Sequence, residues 1–371
     1  MLLKNFMVNQ KNNSTVSSKH FLNLAFEEAN KNLGKTKLNP SVGCVVVKNN
    51  SVISSGHTSI GGRPHAEYNA LNIKKDFNGS SLYVTLEPCS HYGVTPPCTN
   101  LIIRKGIKKV YYSFFDDDIR TSKKLKLVLS KKKVKSQRIF LKKYKSFYQS
   151  YSNIHKKKLP YIDGKIAISK DYLTISKKSK WITNERSRKC GHFLRSQYDS
   201  ILCTSKTINK DNAMLNCRIN GLNQNKPDLI IIDLKFKLKK NLKLFKLNNN
   251  RKITIIINKR NKRKMNFFKN KGLKIILINS LKKKDDFYNL MNILLKKGYN
   301  RILCETGITF LNSLLRNKLI YNLFIFKSDK KLGKLGYNSS TIDYIKKVNL
   351  SNKVKVNLKG ESLYKIKLKN V

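Results

Sequence analysis

The sequence predicts two successive α/β units. Three observations carry that expectation. The chain has 371 residues, enough for two domains that each bury a core. In both halves, apolar β-branched runs of strand length alternate with stretches of helical spacing. The alternation fades between about 121 and 158 into a lysine-rich helix or loop that finishes in "HKKKLP". The boundary is placed there, giving units 1–157 and 158–371.

In the first unit, "VGCVVV" (42–47) is a continuous apolar run suited to a buried strand, and "SVISSG" follows after the turn-forming "KNN". "AEYNALNIKK" has helical spacing, with Ala66, Ala70 and Ile73 on one side. "LYVTLE" (82–87) reads as a second buried strand, "PPCTNLIIRKG" as a short helix ending at Gly106, and "KKVYYSFF" as a third strand. Together these make a layered α/β unit around a central sheet. Pro160 opens the second series: strand "YIDGKIAIS", helix "NERSRKCGHFLRS", then strands "DSILCT", "DLIIID", "KITIIIN" and "LKIILIN". Helix "DDFYNLMNILLKKG", strand "NRILCE", helix "TFLNSLLRN" and strand "IYNLFIF" complete it. There is no internal repeat.

The formal charge of +57 would ordinarily point to nucleic acid, since clustered Lys and Arg release counterions from a phosphate backbone. Here the lysines are spread along the chain among Asn and Ile, which reads as the drift of an AT-rich coding sequence rather than a dedicated surface. Nucleic acid is not the expected partner; the charge still attracts anionic substrates. No apolar run approaches the roughly 20 residues that span a bilayer, and the first twenty residues do not read as a secretory signal. A soluble, cytoplasmic protein without a membrane partner is expected, assembled as a homo-oligomer. Seven cysteines, an odd number scattered through a long chain, do not make a disulfide framework. Five read as core or incidental thiols, and Cys89 and Cys98 are the exceptions.

His65, Cys89 and Cys98 offer one nitrogen and two sulfurs, the three ligands of a catalytic zinc site that keeps one position open. Cys89 follows Pro88, and Cys98 follows Pro96 and Pro97, each where a helix could begin and favour the thiolate. Glu67 stands two residues beyond His65, too close to need a ligand role and well placed to move a proton between a metal-activated water and a leaving amine. H-x-E with P-C-x-x-C is the signature of zinc nucleobase deaminases. Here eight residues, "SHYGVTPP", separate the cysteines instead of two, which argues against a role in editing nucleic acid.

"NPSVGCVVV", "PHAE" and "YVTLEPCSHYGVTPPCTNLII" together resemble the deaminase half of the bifunctional riboflavin-biosynthesis deaminase/reductase family (the RibD family). "LPYIDGKIAISKD", "SKWIT", "RSQYDSILCTSKTINKDNAMLNCR" and "ILCETGITFLNSLL" resemble its reductase half, so the likeness covers nearly the whole chain. It implies a cytidine-deaminase-like α/β/α domain followed by a dihydrofolate-reductase-like α/β domain that uses NADPH. Without the likeness, the second half is only an α/β unit of unknown task.

By this resemblance, Zn2+ ligands fall on His65, Cys89 and Cys98, the acid/base on Glu67, and contacts to a phosphorylated pyrimidine on Asn39 and His91. In the second half it implies substrate contacts at Ser179, Arg195, Leu215, Arg218 and Glu305. Cofactor contacts fall on Lys165, Ala167, Trp181, Thr207, Asp211, Thr306, Gly307, Ile308 and Thr309. Arg195 and Arg218 suit a ribose phosphate because guanidinium groups bind it bidentately. The turn from Thr306 to Thr309 could offer backbone N–H groups to cofactor phosphates. Asp171 matches an acidic motif residue. The sequence departs from the family pattern at Tyr172, where Gly is usual, Thr306 (Gly or Ala), Ala213 (Pro) and Val94 (a basic residue), and before Trp181, where it is about two residues short. The implied activity is hydrolytic deamination of a pyrimidine ribotide followed by reduction of its ribosyl chain. Two alternatives stay open: a deaminase with a degenerate second half, and a basic RNA-editing or nucleic-acid-binding protein.

Overall fold

The computed structural model describes residues 18–222, 227–245 and 251–368, so most of the stretch read for a secretory signal lies outside the described residues. The chain divides between Lys157 and Lys158 into two units, each with its own core. Among the described residues no helix is long and apolar enough to cross a membrane.

In the first unit a helix over 18–30 (α1) buries Leu22, Ala25, Phe26 and Ala29 in the core, Ala25 and Ala29 lying against β1 (Gly43–Lys48). Gly43 permits that contact, because a Cβ there would collide with the Ala25 carbonyl. β1 continues the sheet with β2 (Ser51–His57), β3 (Ser81–Leu86), β4 (Lys109–Phe114) and β5 (Lys135–Arg138) in the order β2-β1-β3-β4-β5. The hairpin side is antiparallel and β3, β4 and β5 are parallel. Helices α2 (Ala66–Leu71), α3 (Cys98–Arg104), α4 (Leu125–Ser130) and α5 (Gln149–Lys156) complete the unit.

Helix α2 stops at Leu71, where Asn72 leaves helical geometry, so Ile73 is 42% exposed and does not share the buried side of Ala66 and Ala70. The lysine-rich stretch, read as helix or loop, does hold the helices α4 and α5, but it also contributes the strand β5 to the sheet. Leu125, Leu129, Val134, Ile139, Leu141, Tyr148 and Tyr151 are buried, and they hold α4, β5 and α5 in the core while the lysines between them face water.

The second unit is built on eight strands: β6 (Tyr161–Ile168), β8 (Ser200–Thr204), β9 (Asp228–Ile232), β10 (Ile253–Ile257), β11 (Lys274–Leu277), β12 (Arg301–Glu305), β13 (Asn322–Lys327) and β15 (Ser362–Lys367). Their order is β11-β10-β9-β8-β12-β6-β13-β15, and only β15 runs antiparallel to its neighbour. A parallel sheet must be covered on both faces, which explains strands as apolar as "DLIII" and "ITIII". Ile230 and Ile256 point into one core, while Leu229, Ile231, Ile255 and Ile257 point into the other. Helices α6 (Glu185–Ser196), α7 (Ser205–Asp211), α8 (Lys262–Asn270), α9 (Lys284–Lys296) and α10 (Ile308–Arg316) pair with the strands, and β7 (Ile175–Ser176) with β14 (Gly336–Tyr337) forms a separate ribbon. Helices α7 and α8 and strand β15 extend the series read from sequence.

Candidate active sites

In the first unit, backbone geometry places four side chains together. His65 is the N-cap residue of α2, so its ring leaves the helix at the sheet end, and Glu67 follows in the first turn. Cys98 opens α3. Cys89 lies in the loop after β3 and begins no helix, contrary to the sequence expectation for Pro88. Instead the Cys98 N–H donates to Cys89 Sγ at 3.2 Å and the Thr99 N–H to the Cys89 carbonyl at 3.2 Å, so one helix start serves both cysteines.

His65 Nδ1 lies 3.7 Å from Cys89 Sγ and 3.4 Å from Cys98 Sγ. All three donor atoms fall within 4.8 Å of one another, a set that fits a tetrahedral metal with one open position. Hydrogen bonds from Cys98 and from the His65 ring hold the Cys89 thiol well below its ordinary value despite burial, which favours the thiolate a metal binds. Glu67 is only 3% exposed, and burial, reinforced by the nearby Cys89 charge, raises its carboxyl to about 7.

His65, Glu67 and Cys89 line an open cavity with Asn39, Arg63, Glu87, His91, Asp116, Asp118 and Arg120. The Asn39 amide donates to the Gly62 carbonyl at 3.2 Å, and Gly62 has φ +94° at a spot where a Cβ would run into Asn39. His91 Nδ1 is 2.8 Å from Thr121 Oγ1. Sequence reasoning missed Glu87, whose buried carboxylate accepts the N–H groups of Lys123 (2.9 Å), Leu125 (3.1 Å) and Asp116 (3.3 Å). It also missed Asp116 and Asp118, although three consecutive aspartates directly after a strand that ends at the site were a usable signal.

In the second unit, the C-terminal ends of β6, β8 and β12 carry the polar groups. Glu305 ends β12 and receives Arg195 of α6 bidentately, Nε at 2.5 Å and Nη2 at 2.9 Å, with Lys165 Nζ at 3.6 Å. Burial alone would raise Glu305, but the Arg195 and Lys165 charges outweigh it and hold the carboxyl at about 2. Arg218 joins this group through two residues the sequence did not reveal. Its Nη1 donates to Asn216 Oδ1 at 2.8 Å and its N–H to His192 Nδ1 at 3.2 Å, while Arg195 Nη1 donates to the Asn216 carbonyl at 3.1 Å. Thr207 Oγ1 accepts the Gly307 N–H at 3.3 Å and lies 3.4 Å from Thr306 Oγ1, so three predicted residues meet where α7 and α10 begin beside each other.

Other predicted residues are placed differently. Leu215 is buried with φ +46°, and its carbonyl accepts Arg251 Nη1 at 2.8 Å, leaving no side chain to offer a ligand. Ile308 is likewise buried, its side chain part of the second unit's core. Ala167 packs against the core on β6, and Thr309 is exposed. Trp181 is 52% exposed with Arg188 5.0 Å from its ring, and the Ser179 hydroxyl donates to its carbonyl at 3.0 Å. Asp211 is half-buried, and burial raises its carboxyl against the pull of Lys210, Lys180 and Lys165.

Two family models match the chain: "Cytidine and deoxycytidylate deaminase zinc-binding region" over residues 15–114 and "RibD C-terminal domain" over 160–366. The riboflavin biosynthesis protein RibD of Aquifex aeolicus is 31% identical, the match covering 85% of this chain and 88% of that protein. The chain belongs to the RibD family. The RibD protein of Buchnera aphidicola is 32% identical over 84% of this chain and 87% of its own length. A Thermotoga maritima structure described as a diaminohydroxyphosphoribosylaminopyrimidine deaminase/5-amino-6-(5-phosphoribosylamino)uracil reductase superposes with TM-score 0.80 at 26% identity, covering 95% of this chain and 99% of that one. The fold is thus that of RibD, a deaminase-like α/β/α domain followed by a reductase-like α/β domain.

Proposed function

We propose that this chain deaminates 2,5-diamino-6-ribosylamino-4(3H)-pyrimidinone 5′-phosphate and then reduces the ribosyl chain of 5-amino-6-(5-phosphoribosylamino)uracil to ribityl. The observation that carries the reading is the convergence of His65, Cys89 and Cys98 beside a buried Glu67. Zn2+ held by those three residues would supply a water activated near neutral pH. Glu67, whose carboxyl burial raises, is suited to take a proton from that water and deliver one to the departing ammonia. Asn39 and His91 are fixed at the cavity wall by Gly62 and Thr121 and would orient the pyrimidine.

In the second unit NADPH would supply hydride. The hydroxyls of Thr207 and Thr306 and the start of α10 would receive its phosphates, and Arg218 would hold the ribotide phosphate. Glu305 locks Arg195 and Lys165 into one orientation rather than leaving three mobile side chains.

Incubation with the diaminopyrimidine ribotide, with and without NADPH, tests the proposal by following ammonia release and NADPH oxidation separately. Ammonia in both samples and oxidation only of added NADPH are expected. Ammonia without any NADPH oxidation leaves a deaminase alone; release of neither defeats the reading.

A further inference from the structure

The deaminase cavity carries two arginines, and they are not equivalent. Arg120 is engaged: its Nε lies 3.0 Å from both Asp118 carboxylate oxygens and its Nη2 lies 2.5 Å from Oδ2. The Arg120 hydrogen bonds in turn hold the Asp118 carboxyl at about 2, so the pair stays ionised and its charges cancel. Arg63 has no such counter-ion among the described residues. Its Nη1 donates to a neutral group, Thr95 Oγ1, at 2.9 Å and passes His65 Nε2 at 3.5 Å. The half-buried guanidinium thus spans from the turn before α2 to the loop between the cysteines, at the cavity wall. The neighbouring loop residue, Val94, is 84% exposed and offers no charge.

A half-buried cation with one neutral partner retains donors for an anion, and guanidinium matches phosphate oxygens bidentately. We propose that Arg63, steered by Thr95, is the residue that recognises the substrate's 5′-phosphate in the deaminase cavity. This deepens the function proposed above and rests on its ribotide substrate. Arg63 lies on one side of the ligand cluster and Asn39, tied to the adjacent Gly62 carbonyl, beside it. The turn that carries the phosphate contact therefore also holds, through Gly62, the residue for a base contact, which fixes the ribotide end to end. Discrimination between ribotide and phosphate-free riboside follows from this one side chain.

The test uses the full-length, metal-loaded protein and its Arg63→Gln, Arg63→Lys, Thr95→Val and Arg120→Gln variants. Deamination of the pyrimidine ribotide and of the corresponding riboside is measured together with metal content. For Arg63→Gln the ribotide KM is expected to rise about tenfold to a hundredfold, as for loss of one charge-assisted contact, with kcat changed less than about threefold. Riboside kinetics and metal content stay as in the parent, Arg63→Lys recovers part of the affinity, and Thr95→Val loses a smaller part. Independently of catalysis, ribose 5-phosphate should protect Arg63 from phenylglyoxal, read by peptide mass spectrometry. An unchanged ribotide KM in Arg63→Gln, an equal loss on the riboside, a ribotide-specific defect confined to Arg120→Gln, or no protection of Arg63 would each overturn the assignment. If the parent protein releases no ammonia, the proposed function falls instead, and the protection experiment still reads Arg63.

Discussion

Glu67 sits in the first turn of α2, sealed from solvent and two residues past a ligand. Replacing it by Gln keeps its shape and removes only the proton exchange. Deamination should fall about 10²- to 10⁴-fold while one metal per chain remains, checked by ammonia assay and elemental analysis. Loss of the metal would make Glu67 a ligand and sink the assignment. His65, Glu67, Cys89 and Cys98 were legible in the sequence because their chemistry is written in residue type and spacing. Glu87 was not, since its role is to accept N–H groups 29 to 38 residues further along, which no spacing records. His192 and Asn216 escaped for the same reason: they act by aiming Arg195 and Arg218. Tyr172 is the reverse case. The family-pattern departure, Tyr where Gly is usual, falls on a residue with φ +64°, the left-handed region that glycine enters without cost.

At the scale of elements, α6 and β12 are joined by the Arg195–Glu305 pair, whose removal on one side would leave a buried charge alone. Glu305→Gln should destabilise the second unit by about 3–5 kcal/mol at neutral pH. The pH sign follows from a native carboxyl held at about 2 against an ordinary 4.5. Its contribution is complete above about 4.5 and is lost as pH falls toward 2. Urea unfolding followed at Trp181, the chain's only tryptophan, should therefore weaken with acid in the parent across that window and be flatter in the variant. Equal slopes would contradict the native ionisation state. Elements with mostly apolar runs, such as β1, β3, β9 and β10, were readable because both-face burial leaves few polar positions. β5 was not, because every residue of "KSQR" is polar and none is buried, nor were α7 and α8, because "SKTINKD" and "KRKMNFFKN" bury only a residue or two among charged and polar ones. The eight-strand order was not readable either, since register and crossover depend on contacts between distant segments.

Over the whole molecule, each predicted chemistry is confined to one unit. Cys89→Ala should abolish deamination while reduction of supplied aminouracil ribotide continues, and Arg218→Ala should do the reverse. Loss of both activities from either change in a folded protein would contradict separate sites. The doubly buried strands β9 and β10 have a further consequence, for the chain before it is folded. Segments such as "DLIII" and "ITIII" are the kind that stack into intermolecular cross-β ribbons when they meet another copy, and a parallel sheet assembles slowly enough to leave them uncovered for a time. The lysines and arginines scattered around them, part of the +57 total, should then act as electrostatic gatekeepers that keep nascent chains apart. Because such repulsion reaches only about 10 Å at 0.1 M salt and shortens as salt rises, refolding from urea should yield mostly native protein at low ionic strength and light-scattering aggregate at high. A yield independent of salt would show that the charge has no part in keeping these chains apart.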